Sequence, residues 1–67
     1  MTIYIQKSNG NLITRVVPTT INIPEFLSQL ESEIGIEHVQ HVKFPTLGVE
    51  VWSVHREWKI EFTKLDH

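Results

Sequence analysis

The sequence has no cysteine, no long apolar run and no excess of basic residues. Without cysteine, the chain can form neither a disulfide nor a thiolate metal site. No stretch reaches the roughly 18 apolar residues of a membrane helix, and the N-terminal segment lacks the basic and apolar regions of a signal peptide. From these absences we expect a cytoplasmic protein that does not insert into a membrane.

The charge balance narrows the choice of partner. The chain carries six Lys and Arg residues against eight Asp and Glu residues, which gives a formal net charge of −2. A mildly acidic surface has no general attraction for phosphate backbones, so binding to nucleic acid irrespective of sequence is disfavoured. The glycines at positions 10, 35 and 48 are isolated, so the sequence contains no phosphate-binding loop.

The short chain limits how large a core the protein can form. We expect residues 1–67 to form a single domain, and a chain of this size buries only about 60% of its unfolded surface. Domains this small commonly gain stability from a disulfide, a metal or a second subunit. Because cysteine is absent, self-association or binding to another protein is the expected route.

The N-terminal part predicts a β-hairpin. Residues 2–7 and 12–17 read as strands, and Asn9-Gly10 between them is the strongest short hairpin signal, typical of a type I′ turn. A two-residue loop there would pair Ile3 with Val16 on the core face. Tyr4 and Arg15 would then share the opposite face.

Residues 23–34 predict one amphipathic helix. Asn22 is a good N-cap, Glu25 lies at the third position of a capping box, and Pro24 falls in the first turn, where its missing N–H costs nothing. Gly35 follows the last apolar residue and is placed to end the helix. The apolar stripe that would face a sheet consists of Phe26, Leu27, Leu30 and Ile34.

The C-terminal half is again extended. Residues 39–44, 49–54 and 58–63 predict strands, with a turn over residues 45–48. The resulting order is ββα followed by two or three strands. This order predicts an α+β domain in which one helix packs on an antiparallel sheet.

The connection at residues 55–57 contains none of the usual turn residues and leaves three alternatives. A two-residue loop would place Val51 opposite Ile60. A three-residue loop would place Trp52 opposite Ile60 and exchange the two faces. An unbroken strand over residues 49–62 would be roughly 46 Å long at about 3.3 Å per residue, and it would need another chain to cover it.

Four histidines are present, but their spacing favours no metal site. His38 and His41 are three residues apart in an extended segment, where their side chains point to opposite faces. Ser53, His55 and Glu57 lie at alternate positions, roughly 7 Å apart, and do not converge as a catalytic set requires. We therefore expect no enzyme activity, no metal and no cofactor.

Aromatic residues indicate a contact surface. One helix covers one face of a small sheet, so we expect the second face to present apolar and aromatic side chains to a partner. Tyr, Trp and Arg are enriched in interface hot spots. We predict that Trp58 belongs to the core, continuing into Ile60 and Phe62, but the open register at residues 55–57 allows either tryptophan to be the buried one. The predicted partner-binding residues are Tyr4, Arg15, Trp52 and Arg56, with Trp52 as the anchor.

The sequence therefore favours a small non-catalytic protein-protein interaction domain: an adaptor, regulatory subunit or inhibitor of the kind that phages and mobile elements encode. It would bind another protein or a second copy of itself, through an aromatic sheet face or a sheet edge. The alternative is a single-stranded nucleic-acid-binding protein that uses the region of Trp52 and Trp58. The nearby cations are Lys43, Arg56, Lys59 and Lys64, and interspersed acidic residues weigh against this alternative.

Overall fold

The computed structural model describes residues 1–63 and contains one α-helix and five strands. The strands form one antiparallel sheet in the order β2-β1-β3-β4-β5. One helix on an antiparallel sheet agrees with the predicted α+β class. Single turns of 3-10 helix, Ile36–His38 and Pro45–Leu47, precede and follow β3. The elements are β1 (Thr2–Lys7), β2 (Leu12–Val16), α1 (Ile23–Glu33), β3 (Val39–Phe44), β4 (Val49–Val54) and β5 (Glu57–Phe62).

The core lies between α1 and one face of the sheet, which we call the inner face. α1 contributes Phe26, Leu27 and Leu30, and the ring of Phe26 meets that of Phe44 edge-on with centroids 5.9 Å apart. Within residues 1–63, no polar or charged residue is buried. The buried side chains of the sheet are Ile3, Ile5, Val39, Val42, Phe44, Val49 and Val51.

The start of α1 follows the predicted capping pattern. The Asn22 side-chain oxygen accepts a hydrogen bond from the Glu25 amide at 3.0 Å, and Pro24 lies in the first turn. The helix ends at Glu33, one residue before the predicted end. Gly35 then adopts a φ of +98°, a conformation that favours glycine, and turns the chain towards β3.

The register predicted for the first hairpin is wrong by one residue. Ile3 lies opposite Arg15 instead of Val16, and the loop holds three residues instead of two. Within this loop only Gly10 has a positive φ, +93°, and its amide donates to the Lys7 carbonyl at 2.9 Å. The loop is therefore a type I turn closed by a glycine bulge rather than a type I′ turn.

Two contacts outside the hairpin account for the longer loop. The Ser8 amide donates to the His38 carbonyl at 3.0 Å, and the Ser8 hydroxyl donates to the Glu37 carbonyl at 3.0 Å. Ser8 is thereby held by the 3-10 turn before β3 and leaves the ladder with β2. As a result, Ile13 packs half-buried against the core, and Val16 points outwards with 84% of its surface exposed.

The β4–β5 hairpin adopts the two-residue alternative, with Val51 opposite Ile60. The loop residues His55 and Arg56 have φ values of 52° and 62°, which is the left-handed conformation of a type I′ turn. An L side chain in this conformation costs roughly 1–2 kcal/mol. The packing of the strands therefore sets this register, against the preference of the turn residues.

Candidate interaction surfaces

The inner face of β5 carries an apolar row that α1 does not cover. We call Trp58, Ile60 and Phe62 the β5 strip; they share the inner face with the buried Val49 and Val51 of β4. Trp58 packs half-buried against the core, but Ile60 is 42% exposed and Phe62 is 82% exposed. The β5 strip therefore continues the core out to solvent.

The width of the sheet explains this exposure. Five strands about 4.8 Å apart span about 19 Å, whereas a helix with its side chains is about 10–12 Å wide. Glu31 of α1 accepts a hydrogen bond from Trp58 Nε1 at 3.1 Å, and Glu33 pairs with Arg15 of β2. These contacts to both edge strands hold α1 over the middle of the sheet, so Phe62 lies beyond its reach.

The backbone of β5 presents unused hydrogen-bonding groups at the same edge. β4 is its single neighbouring strand among residues 1–63. The Thr63 amide donates to the Gly48 carbonyl at 2.7 Å, and bonded positions alternate along an antiparallel ladder. The odd-numbered residues of β5 therefore bond β4. The outward-pointing N–H and C=O groups belong to Trp58, Ile60 and Phe62.

The face away from α1, which we call the outer face, carries a polar and aromatic cluster centred on β3. The His41 ring lies over the Trp52 indole with centroids 4.1 Å apart, and His41 Nε2 is 3.0 Å from Glu50 Oε1. Lys43 lies between Tyr4 of β1 and Glu50 of β4 in the cross-strand register. Trp52 is thus part of a packed cluster, whereas Tyr4 is 38% exposed.

The β2 edge is built differently from the β5 edge. The Lys7 amide donates to the Asn11 carbonyl at 2.8 Å, so the odd-numbered residues of β2 bond β1. Arg15 lies on the inner face near the end of this strand, and its guanidinium forms an ion pair with Glu33. The hydrogen bond and charge of Arg15 lower the pKa of Glu33. The outward backbone groups belong to Leu12, Thr14 and Val16.

A groove of about 470 Å³ lies between the end of β2 and the first turns of α1. Its apolar lining includes Ile21 and Phe26, and its polar lining includes Arg15, Asn22 and Glu25. Arg15 is occupied by its ion pair, and the Asn22 side-chain oxygen accepts the hydrogen bond from the Glu25 amide that caps α1. The groove therefore offers no convergent set of polar groups of the kind that fixes a small ligand.

The four predicted partner-binding residues do not form one surface. Tyr4 and Trp52 share the outer face, with β3 between their strands. The expected grouping of Arg15 with Tyr4 is wrong, because the three-residue loop shifts β2 and turns Arg15 to the inner face. Arg56 lies in the β4–β5 turn, away from the other three.

The residues considered for catalysis and metal binding are dispersed. The Ser53 hydroxyl donates to the Ile36 carbonyl at 3.2 Å on the inner face, while His55 lies in the tight turn. Glu57 is on the outer face of β5, one position before Trp58. In the part of the chain that the structure describes, no group of three or more His, Asp or Glu residues is placed to hold a metal ion.

The two tryptophans lie on opposite faces of the sheet. Trp52 stacks with His41 on the outer face, whereas Trp58 lies on the inner face and donates to Glu31. One single strand of nucleic acid therefore cannot use both indoles as a common stacking platform. Lys59 is opposite Trp52, and Lys64 lies outside the described residues.

Sequence reasoning placed Ile60 and Phe62 in the core and missed their exposure. A signal was present in the sequence, because Trp58, Ile60 and Phe62 alternate along the last strand and α1 is the only long helix expected. One helix of 11 residues is too narrow to cover five strands. At least one edge strand therefore had to keep its apolar side chains in solvent.

Comparison with protein-family models, with curated proteins and with solved structures found no match for this chain. Among residues 1–63, no helix is both long enough and apolar enough to span a membrane. Function is therefore inferred from the two sheet edges and the outer face.

Proposed function

We propose that this protein is a small non-catalytic protein-binding domain, an adaptor, regulatory subunit or inhibitor, that acts in the cytoplasm. Its binding site is the β5 edge, where apolar side chains and outward backbone groups coincide. The observation that carries this proposal is the exposure of Phe62, 82%, directly opposite Val49, which is 4% exposed. A core row that ends in solvent at an open sheet edge is suited to a partner strand.

β5 lacks three of the features that keep an edge strand unpaired. Natural edges are commonly protected by proline, by a β-bulge or by an inward-pointing charge. β5 contains no proline, its register with β4 is continuous, and the side chains that it turns to the inner face are all apolar. Strand addition to this edge would satisfy the outward backbone groups and cover the β5 strip together.

The edge also defines the chemistry of its partner. An added strand would bond to the backbone of Trp58, Ile60 and Phe62, and its inner-face side chains would extend the core beside them. On the outer face, the charges of β5 alternate as Glu57, Lys59 and Glu61. The partner is therefore an extended segment with apolar residues at alternate positions and a complementary charge order between them.

A pair of matched substitutions tests the proposal. Phe62→Ser removes the most exposed apolar side chain of the β5 edge, and Val16→Ser removes one of equal exposure, 84% against 82%, from the β2 edge. Each tagged domain is used for affinity capture from a nuclease-treated lysate, after circular dichroism has shown that it is folded. A stoichiometric protein that is lost with Phe62→Ser and retained with Val16→Ser supports the β5 edge as the site.

Equal capture by the two variants would contradict the proposal. Material retained only when nuclease is omitted would favour the nucleic-acid alternative, in which Trp52 of the outer face is the stacking residue to test. Quenching of tryptophan fluorescence by a single-stranded oligonucleotide, measured with and without Trp52→Ala, would then identify that activity.

A further inference from the structure

We infer that a second copy of this chain binds the β5 edge, in antiparallel β5–β5 pairing centred on Ile60. This inference rests on the proposed function, because it takes the β5 edge to be the binding site and names its partner. The grounds are the self-complementary order of charges and apolar side chains along β5.

Symmetry restricts how two copies can meet at this edge. A two-fold axis perpendicular to the sheet pairs the strands antiparallel and keeps the inner faces of both copies on the same side. Residues that lie opposite each other must then share a face. The axis therefore passes between the two copies of one residue, which lies opposite itself and is the centre of the pairing. A centre at Lys59 or Ile60 keeps five residues of β5 paired, whereas a centre at Trp58 or Glu61 keeps only three.

Charge selects one of these centres. With the axis at Ile60, Lys59 of each copy lies opposite Glu61 of the other, so the interface contains two pairs of opposite charge. With the axis at Lys59, that lysine faces itself and Glu57 faces Glu61. With the axis at Glu61, that carboxylate faces its own copy. With the axis at Trp58, Glu57 faces Lys59, but only three residues are paired and Phe62 has no residue of β5 opposite it. Like charges directly opposite each other destabilise a sheet pairing, whereas opposite charges stabilise it.

The same centre also matches the inner face. Trp58 of each copy lies opposite Phe62 of the other, and Ile60 lies opposite Ile60, so the exposed strip is paired along its whole length. Cross-strand aromatic pairs are among the favourable combinations in antiparallel sheets. The outward backbone groups of these residues would exchange about six hydrogen bonds. One continuous sheet would then run through both copies.

The β2 edge is less suited to this role. Its inner-face position Arg15 is charged and already paired with Glu33 of α1. Pairing of β2 with β5 of the next copy would be heterologous and would leave an open edge at each end, which leads to chains instead of a closed dimer. Pairing of β5 with β5 closes after two copies.

Charge exchange tests both the partner and the register. In the Ile60-centred dimer, Lys59→Glu or Glu61→Lys converts two attractive pairs into two repulsive pairs, so each variant should dimerise about tenfold more weakly than the unsubstituted chain. An equimolar mixture of the two variants restores opposite charges at both positions. The double variant Lys59→Glu with Glu61→Lys restores them as well. Sedimentation equilibrium over a range of concentrations gives the dimer dissociation constants, and circular dichroism controls for folding.

The expected result is a dimer for the unsubstituted chain, weakened in each single variant and restored in the mixture and in the double variant. The inference is overturned if the chain stays monomeric at every concentration. It is also overturned if the dimer dissociation constant is the same in the charge variants as in the unsubstituted chain. If the chain is monomeric but Phe62→Ser still loses a captured protein, the inference fails and the proposed function stands. If a dimer forms and Phe62→Ser leaves it unchanged, the dimer uses another surface and the inference fails; the proposed function fails as well only if Phe62→Ser and Val16→Ser capture equally.

Discussion

The two edge strands of the sheet, β2 and β5, carry different kinds of side chain on the inner face. On its inner face, β2 carries Arg15, which forms an ion pair with Glu33 of α1, and Pro18 follows two residues after the strand ends. On its inner face, β5 carries only the apolar β5 strip. An inward-pointing charge and a nearby proline protect an edge from pairing, and β5 has neither. This contrast is the basis of our proposal that a partner covers the β5 edge and leaves the β2 edge open.

The hairpins that contain these strands differ in their turns as well. The first has the favourable Asn9-Gly10 pair and yet forms a three-residue loop, because Ser8 bonds the chain before β3. The second has His55 and Arg56, which are poor turn residues, and yet forms the two-residue left-handed turn. In both hairpins the strand packing and long-range bonds decide the register, and the turn adapts to it.

The largest expected effect is on the free energy of unfolding. One row of side chains crosses the whole sheet and includes Ile5 in the centre and Ile60 at the β5 edge, so the same substitution can be compared at both positions. Ile5 is 0% exposed, so Ile5→Ala should lower the free energy of unfolding by about 2–5 kcal/mol. Ile60 is 42% exposed, so Ile60→Ala should cost about 1 kcal/mol. Urea denaturation at low protein concentration measures both, and equal losses would show that β5 belongs to the central core.

The next effect concerns the two turns. Replacement of His55 by Asn and Arg56 by Gly supplies the residues that a type I′ turn prefers, so the double variant should be more stable by about 1–2 kcal/mol. Gly10→Ala places a Cβ at a φ of +93° in the first turn and should destabilise by about 1 kcal/mol. Thermal and urea unfolding of the three chains test this comparison. A double variant no more stable than the unsubstituted chain would mean that His55 and Arg56 carry little strain.

The smallest effect is the pH dependence of the Arg15–Glu33 pair at the β2 edge. Arg15 holds the pKa of Glu33 below its usual range. A carboxyl whose pKa is lower in the folded state stabilises the fold above its unfolded pKa, and this contribution is lost as the pH falls through the folded pKa. Arg15→Gln should therefore reduce the loss of stability on the acid side, below about pH 4–5. Its matched control is Arg56→Gln, which removes an exposed arginine from the turn.

Thermal unfolding from pH 7 to pH 2 measures this difference, with the unsubstituted chain beside the two variants. The expected change is small because solvent screens the pair: the Arg15 side chain is 32% exposed and that of Glu33 is 52% exposed. If Arg15→Gln does not change the loss of stability at acid pH, or if Arg56→Gln changes it equally, the Arg15–Glu33 pair does not contribute to stability.

The elements of the fold were predictable because their signals are local. The Asn22 cap and the apolar stripe of α1 lie within a few turns of each other, and the alternation along residues 49–54 marks a strand without reference to the rest of the chain. The first register was not predictable, because it depends on the bond from Ser8 to Glu37, 29 residues later in the chain. Turn chemistry alone therefore pointed to the wrong loop.

The candidate site was only partly predictable for a related reason. Tyr4 and Trp52 share the outer face in the structure, but the sequence left the face of Trp52 open, because that face depends on the length of the β4–β5 loop. The exposure of Phe62 depends instead on the order of the five strands and on where α1 lies across them. A pattern that reads as a core strand in the sequence becomes an open edge when the sheet is wider than its helix.

Amide hydrogen exchange, followed residue by residue by NMR, tests most directly whether the β5 edge is the binding edge. The amides of Trp58, Ile60 and Phe62 point away from the sheet, and they should exchange more slowly as the protein concentration rises, because a second copy covers them. The outward amides of β2 serve as the internal control and should exchange rapidly at every concentration; they belong to Leu12, Thr14 and Val16. Equally rapid exchange at both edges at every concentration would contradict this account.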